Sequence, residues 1–244
     1  MAGVSKIKAP TCTSPLFGEE ATRIALEMAQ FPASELARLL KLSPRLAAES
    51  YRRFQDFHGD ATHPLQALLA YTGVVFKNLR PADFSAADFD YAQAHLRIVS
   101  IAYGWLRPLD GIKPYRMEYD VPLDELSEGS LYSFWRKRLT PVLIGEVQKA
   151  GGVLANLASQ EIQPAFDWKA AAKAVRIVTP EFKLWKNGRA QTIVIYAKMA
   201  RGQMARYLLK NRLDDPQAMK AFRWEGFAYK EDLSDENRWV FLQE

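Results

Sequence analysis

Cysteine is almost absent: one residue, Cys12, stands in 244. A single thiol excludes an internal disulfide framework and fits a reducing compartment. Histidine is nearly as scarce, and His58, His63 and His95 lie too far apart to have metal-ligand spacing. No apolar run approaches the roughly 20 residues of a membrane span. The first residues lack the basic-then-apolar pattern of a signal peptide. There is no GxxxxGK followed by Ser or Thr, no GxGxxG and no zinc-finger spacing. A single-strand-binding aromatic motif and a Ser/His/Asp triad are also missing, and no base neighbours Cys12 that would make it a nucleophile. These absences predict a cytoplasmic protein with no cofactor, no metal site and no membrane partner.

What is present is an ordinary globular composition, 48% hydrophobic and 25% charged, with a net charge of +5. That charge favours anionic partners, nucleic acid first. The length suits one domain spanning residues 1–244, and a monomer is expected. Residues 1–18 read as extended. Helical periodicity begins at Glu19–Gln30, continues in a short helix at Ser34–Lys41, and resumes at Ser43-Pro44, a cap followed by proline at the first helical position. The third helix is expected to bury Ala47, Tyr51 and Phe54. Val74-Val-Phe76 reads as a short strand, Ser85–Leu96 as a helix, and Ile98–Tyr103 as a buried strand. Ser130–Ala150 reads as a long helix kinked near Thr140 by Pro141. Gly151-Gly152 ends it before the strand Val153–Ala158. Ala174–Trp185 and Thr192–Ile195 flank Asn187-Gly188, a hairpin signal, and strands are expected at Phe227–Tyr229 and Trp239–Leu242. The sum is an α/β fold with a mixed sheet and a helical N-terminal region.

Four segments hold residues suited to chemistry. The first, Tyr196–Tyr207, reads as a helix running on to about Arg212. At 100° per residue it places Lys198, Arg201, Gly202 and Ala205 on one face, with Arg206 at its margin. Tyr196, Ala200, Met204, Tyr207 and Leu208 take the other. A strand leading into a basic helix N-terminus can hold phosphate, and a solvated basic face on an ordinary helix reads equally well. The second, Leu106–Glu118, brings Arg107, Lys113 and Arg116 together with Asp110 and Glu118 after a buried strand. It is either a binding loop or a loop stiffened by internal Arg107–Asp110 and Arg116–Glu118 pairs. In the third, Asn156, Ser159 and Glu161 either point into a strand-end crevice, Glu161 as a base, or close a turn. The fourth, residues 34–57, joins two helices tightly and is either similar to a helix-hairpin-helix, with Lys41, Arg45, Arg52 and Arg53 as its cations, or simply two packed helices with solvated arginines. Ser43-Pro44 stands where such hairpins usually carry glycine.

Taken in order, several segments resemble the YaaA family of bacterial peroxide-stress proteins. They are Arg97-Ile-Val-Ser100, Tyr103-Gly-Trp-Leu-Arg-Pro-Leu-Asp110, Pro114-Tyr-Arg116, Phe134-Trp135, Asn156-Leu-Ala-Ser159, Tyr196-Ala-Lys-Met-Ala-Arg-Gly202 and Glu225-Gly226. The resemblance runs from about Leu36 to the end. It implies a cytoplasmic single-domain α/β protein of unusual fold with a basic cleft, DNA binding that includes a helix-hairpin-helix on Glu35–Phe54, and a role in peroxide protection that lowers free iron. One departure stands out: the family's opening apolar strand and Ser-Pro-Ala-Lys segment have no counterpart in Met1–Thr13, unless Ser5-Lys-Ile-Lys8 or Ser14-Pro15 is a remnant.

Two functions follow. In the first, the chain binds DNA through backbone phosphates with little sequence preference. Lys198, Arg201, Arg206, Arg107, Lys113 and Arg116 line the cleft, and Lys41, Arg45, Arg52 and Arg53 surround the hairpin. In the second, an enzyme acts on a nucleotide or another phosphorylated small molecule, with Asp110, Glu118 or Glu161 supplying acid-base chemistry.

Overall fold

The computed structural model describes residues 1–59, 62–123 and 129–244. The chain divides into two compact units, each assembled from separated stretches. Met1–Tyr71, Leu96–Thr140 and Glu161–Asp167 form the first; Thr72–His95, Pro141–Gln160 and Trp168–Glu244 form the second. Elements below are numbered in chain order.

In the first unit, helix α1 (Gly18–Gln30) buries Ala21, Ile24, Ala25 and Met28, the 3–4–7 spacing of an amphipathic helix. Helices α2 (Ala33–Leu39) and α3 (Pro44–Gln55) follow. Their connector turns because Lys41 takes a left-handed φ of 51°. That lets Leu42 N–H donate to Ala37 O at 2.9 Å and Lys41 N–H to Arg38 O at 3.4 Å, the two bonds that close a helix C-terminus in this conformation. Helix α3 buries Ala47, Ser50 and Phe54, whereas Tyr51, expected in the core, is 36% exposed. Positions 50 and 51 flank the direction shared by 47 and 54 equally, and the helix turns its Ser50 side inward.

The remainder of this unit is built from short pieces: β1 (Leu65–Gln66), α4 (Ala67–Ala70), β2 (Ile98–Ser100), β3 (Gly104–Leu106) and β4 (Gly111–Ile112). Strand β1 pairs antiparallel with β4, and β2 with β3. The expected single strand Ile98–Tyr103 therefore breaks after Ser100. Ser100 Oγ accepts the Tyr103 N–H at 3.0 Å, and Gly104 turns the chain at φ +64° with the Trp135 ring in the space a Cβ would fill. Helix α7 (Leu131–Lys149) carries Pro141 as expected. Just before the proline, Thr140 Oγ1 donates to Arg136 O at 2.8 Å and accepts the Asp167 N–H at 2.9 Å.

The second unit holds a six-stranded mixed sheet. Its spine is β6 (Arg176–Lys186), parallel to β5 (Val153–Ala155) and to β10 (Arg238–Gln243) and antiparallel to β7 (Arg189–Gln191). Strand β9 (Phe227–Lys230) joins β10 antiparallel, and β8 (Arg223–Trp224) joins β9. The helices of this unit are α5 (Val74–Leu79), α6 (Ala86–His95), α8 (Trp168–Ala174) and α9 (Val194–Lys210). Two expected strands are thus helix starts: Val74–Phe76 opens α5, and Thr192–Ile195 runs into α9. Val74 and Val75 of α5, and Val194 and Ile195 of α9, stand in first helical turns, which have no preceding turn to crowd, and packing outweighs the small propensity cost.

Helix α9 is buried along two opposed sides. Ala197, Ala200 and Met204 join Val178 and Phe182 of β6 and Phe227, Trp239 and Phe241 in the core. On the opposite side Gly202 lies against α5, where an added Cβ would press on the Val75 carbonyl oxygen and the Asn78 side chain. The sequence-predicted open, small-residue face for an approaching anion is therefore a packed face. Gly202→Ala is expected to cost about 1–3 kcal/mol, the range for overpacking a filled contact. Chemical denaturation followed by circular dichroism checks this, and an unchanged midpoint would remove the constraint.

Candidate functional site

Most of the cations that the sequence offered are already engaged. Arg107 donates through its main-chain N–H and its guanidinium to Asp110, which is fully buried and also accepts from Thr13 Oγ1 at 2.6 Å. The same guanidinium reaches Ser14 O at 3.0 Å. Lys113 Nζ donates to the carbonyls of Phe57 at 2.8 Å and Gly59 at 2.6 Å. Arg116 lies 4.0 Å from Glu118. Both internal pairs read as stiffeners of the proline-bent loop are therefore present, and Asp110 is a saturated acceptor rather than a free acid or base. Arg206 clasps Asp83 with two bonds of 2.7 Å. Arg53 pairs with Glu49, and exposed Lys41 lies 3.8 Å from Asp120.

Four candidates remain without a carboxylate among the described residues: Arg45 and Arg52, both exposed on α3, and Lys198 and Arg201 on α9. Arg201 stands apart. At 100° per residue it falls on the flank between the sheet side and the α5 side of α9, so it is half-buried. Its only described bond is Nε to Ala197 O at 3.2 Å in its own helix, and burial lowers its pKa. A guanidinium stripped of some water without a counter-ion is an unfavourable arrangement that an incoming oxyanion relieves. Lys198, one turn earlier, is exposed. Ile193 caps α9 without a side-chain bond, so the N–H groups of its first turn keep their positive end open. Helix α3 likewise starts at Ser43 with no side-chain cap, beside Arg45.

The carboxylates do not assemble similarly. Glu118 is half-buried, and burial followed by the Glu161 charge pushes its carboxyl upward. Glu161 itself is exposed, its carbonyl accepting from Tyr132 Oη at 2.9 Å. Asn156 Oδ1 accepts the Ala158 N–H at 3.1 Å and closes a turn. Burial and then Asp110 raise the Cys12 thiol, the direction opposite to nucleophile activation. Among the described residues no group of three His, Cys, Asp or Glu side chains comes together as a metal site, and no helix is long and apolar enough to cross a membrane.

Sequence reasoning missed the acidic anchors. Asp88 is buried at the start of α6, where its carboxylate takes Lys210 Nζ at 2.8 Å, Arg212 at 3.3 Å, and the N–H and hydroxyl of Ser85 at 2.9 Å each. Asp88 N–H returns a bond to Ser85 Oγ, a reciprocal cap of the kind that Ser followed three residues later by an acid announces. That signal was legible; its coupling to the far end of α9 was not.

These features define an α/β protein with a mixed sheet and, among the described residues, a half-buried arginine without a carboxylate partner. The family model described as peroxide stress protein YaaA matches residues 3–233, and the chain belongs to that family. It is 62% identical over 244 residues to a UPF0246 protein of Parabacteroides distasonis, covering 100% of this chain and 96% of that one. A UPF0246 protein of Bacteroides thetaiotaomicron is 54% identical over 242 residues, 99% of this chain and 94% of the relative. One of Burkholderia mallei is 37% identical over 234 residues, 94% and 89% respectively.

The Lys210 ammonium, then the Ser85 N–H, hold the Asp88 carboxyl well below the usual carboxylate range. A depressed carboxylate stabilises the fold above its unfolded pKa, near 3.9, and that contribution is lost as pH falls through the folded value. Acid titration of unfolding is expected to show stability falling below about pH 4, with Asp88→Asn flattening that part of the curve. An equally steep curve in the variant would assign the effect elsewhere.

Proposed function

We propose that this protein acts in the peroxide stress response by binding the phosphate backbone of DNA, with little sequence preference, and so limits oxidative damage. Arg201 carries the reading: it is a half-buried guanidinium with no carboxylate among the described residues, next to exposed Lys198 and an uncapped helix start. A planar fork of donors matches phosphate, as it matches carboxylate, with two parallel bonds. Arg45 and Arg52 on α3 supply further contacts. The N–H groups of Lys41 and Leu42 close α2, so a hairpin grip on DNA would fall to the first turn of α3 instead. Arg107, Lys113 and Arg206 act in this reading as supports that hold their segments, since their donors are used internally. Lowering of free iron belongs to the response as an outcome, with no residue assigned to it.

An enzyme acting on a phosphorylated small molecule would need a free acid or base beside the cations. Of the three candidate carboxylates, Asp110 is consumed by Arg107 and Thr13, so this second reading rests on Glu118, 4.0 Å from Arg116, and on Glu161.

Titration of duplex DNA at several salt concentrations is expected to give log affinity falling linearly with log salt. Arg201→Ala and Lys198→Ala should each weaken binding alike on unrelated sequences and reduce the salt slope by about 1, with thermal stability kept. Arg206→Ala should instead lower thermal stability. Absence of binding at low salt, or a sequence-selective loss in Arg201→Ala, would count against the proposal.

A further inference from the structure

The tip of the β6–β7 hairpin combines three features that neither the sheet nor the proposed phosphate site uses. Trp185 is 54% exposed, whereas Trp105, Trp135 and Trp239 are 4%, 0% and 1% exposed. It stacks on no other ring among the described residues, and its cross-strand partner is Ala190, whose methyl leaves the indole uncovered. Next, Lys186 lies directly opposite Arg189 in the register. Like charges in that position destabilise a strand pair, and neither has a carboxylate partner among the described residues. Finally, the turn has a defined geometry: Asn187 and Gly188 have φ of +53° and +73°, the two-residue turn whose twist matches its strands.

We propose that this tip is a base-stacking finger for single-stranded DNA, with Trp185 as the platform and Lys186 and Arg189 as phosphate contacts. The inference rests on the nucleic-acid reading above and specifies the form of DNA taken. An indole face stacks on any base whose own face is free. In an intact duplex those faces are already stacked, so the finger takes unpaired bases. The opposed cations need concentrated negative charge near the tip, which a phosphodiester chain brings together with the base.

The test uses the full chain, fluorescein-labelled oligothymidylate and a duplex of equal length. Trp185→Ala should weaken oligothymidylate binding roughly five- to a hundred-fold, the span of one lost stacked base, and leave duplex affinity unchanged. Trp185→Phe should restore most of it, and an unchanged melting temperature in both variants shows that the fold is kept. Binding of oligothymidylate should also protect Trp185 from iodide quenching. If wild type binds duplex but Trp185→Ala leaves oligothymidylate affinity intact, the stacking inference fails alone. If wild type binds neither DNA, both readings fail. Partition onto anionic phosphatidylglycerol vesicles with a blue-shifted Trp185 and no oligothymidylate binding would overturn the finger in favour of a membrane contact.

Discussion

The close approach of α5 to α9 at Gly202 organises the second unit. Only a residue without a Cβ lets the Val75 carbonyl come so near the α9 axis. With α5 on one side and the sheet on the other, α9 has little free surface along its middle. Its polar residues must either meet partners or sit on the flank. Arg206 and Lys210 meet Asp83 and Asp88, which tie the C-terminal half of α9 to the segment leading into α6 and to α6 itself. Arg201 has no such partner and stands on the flank. The helix thus separates its cations by role: those toward its end hold the unit together, and those nearer its start remain available.

A comparable economy governs the first unit. Asp110 is fully buried and collects Arg107 and Thr13, while Arg107 continues to Ser14. A buried carboxylate is tolerated only when charge and hydrogen bonds both meet it, so this knot fixes the loop after β3 against the segment near Thr13. Lys113, bonded to two carbonyls, pins the other end of the same loop. Lys113 fastens this loop through carbonyls 56 and 54 residues away in sequence, partners that spacing arguments cannot show.

Much of the fold was legible. Helices α1, α2, α3, α6, α7 and α9, the Asn187-Gly188 turn and the closing strands β9 and β10 follow from periodicity, caps and turn residues. The errors have separate causes. Val74–Phe76 and Thr192–Ile195 carry β-branched residues typical of strands, yet each opens a helix whose packing outweighs local preference. Ile98–Tyr103 breaks where Ser100 and Gly104 turn the chain, a turn without a strong signal of its own. The two-face reading of α9 failed because periodicity separates apolar from polar residues but cannot reveal a second buried face lined by glycine and alanine.

From sequence alone came membership in a peroxide-stress family, the α/β class, the basic charge and the list of cations from which any phosphate contact must be drawn. Those properties reside in composition and in residue order, which need no contacts to be read. Which cations are spent and which are free was decided only by tertiary structure. Local pairs such as Arg107 with Asp110 can be read from spacing, but the pair that engages Arg206 joins it to Asp83, far away in the chain, and Arg201 on the same helix has no such partner among the described residues. The same holds for Trp185, one tryptophan among six in the sequence, which the hairpin alone leaves in solvent.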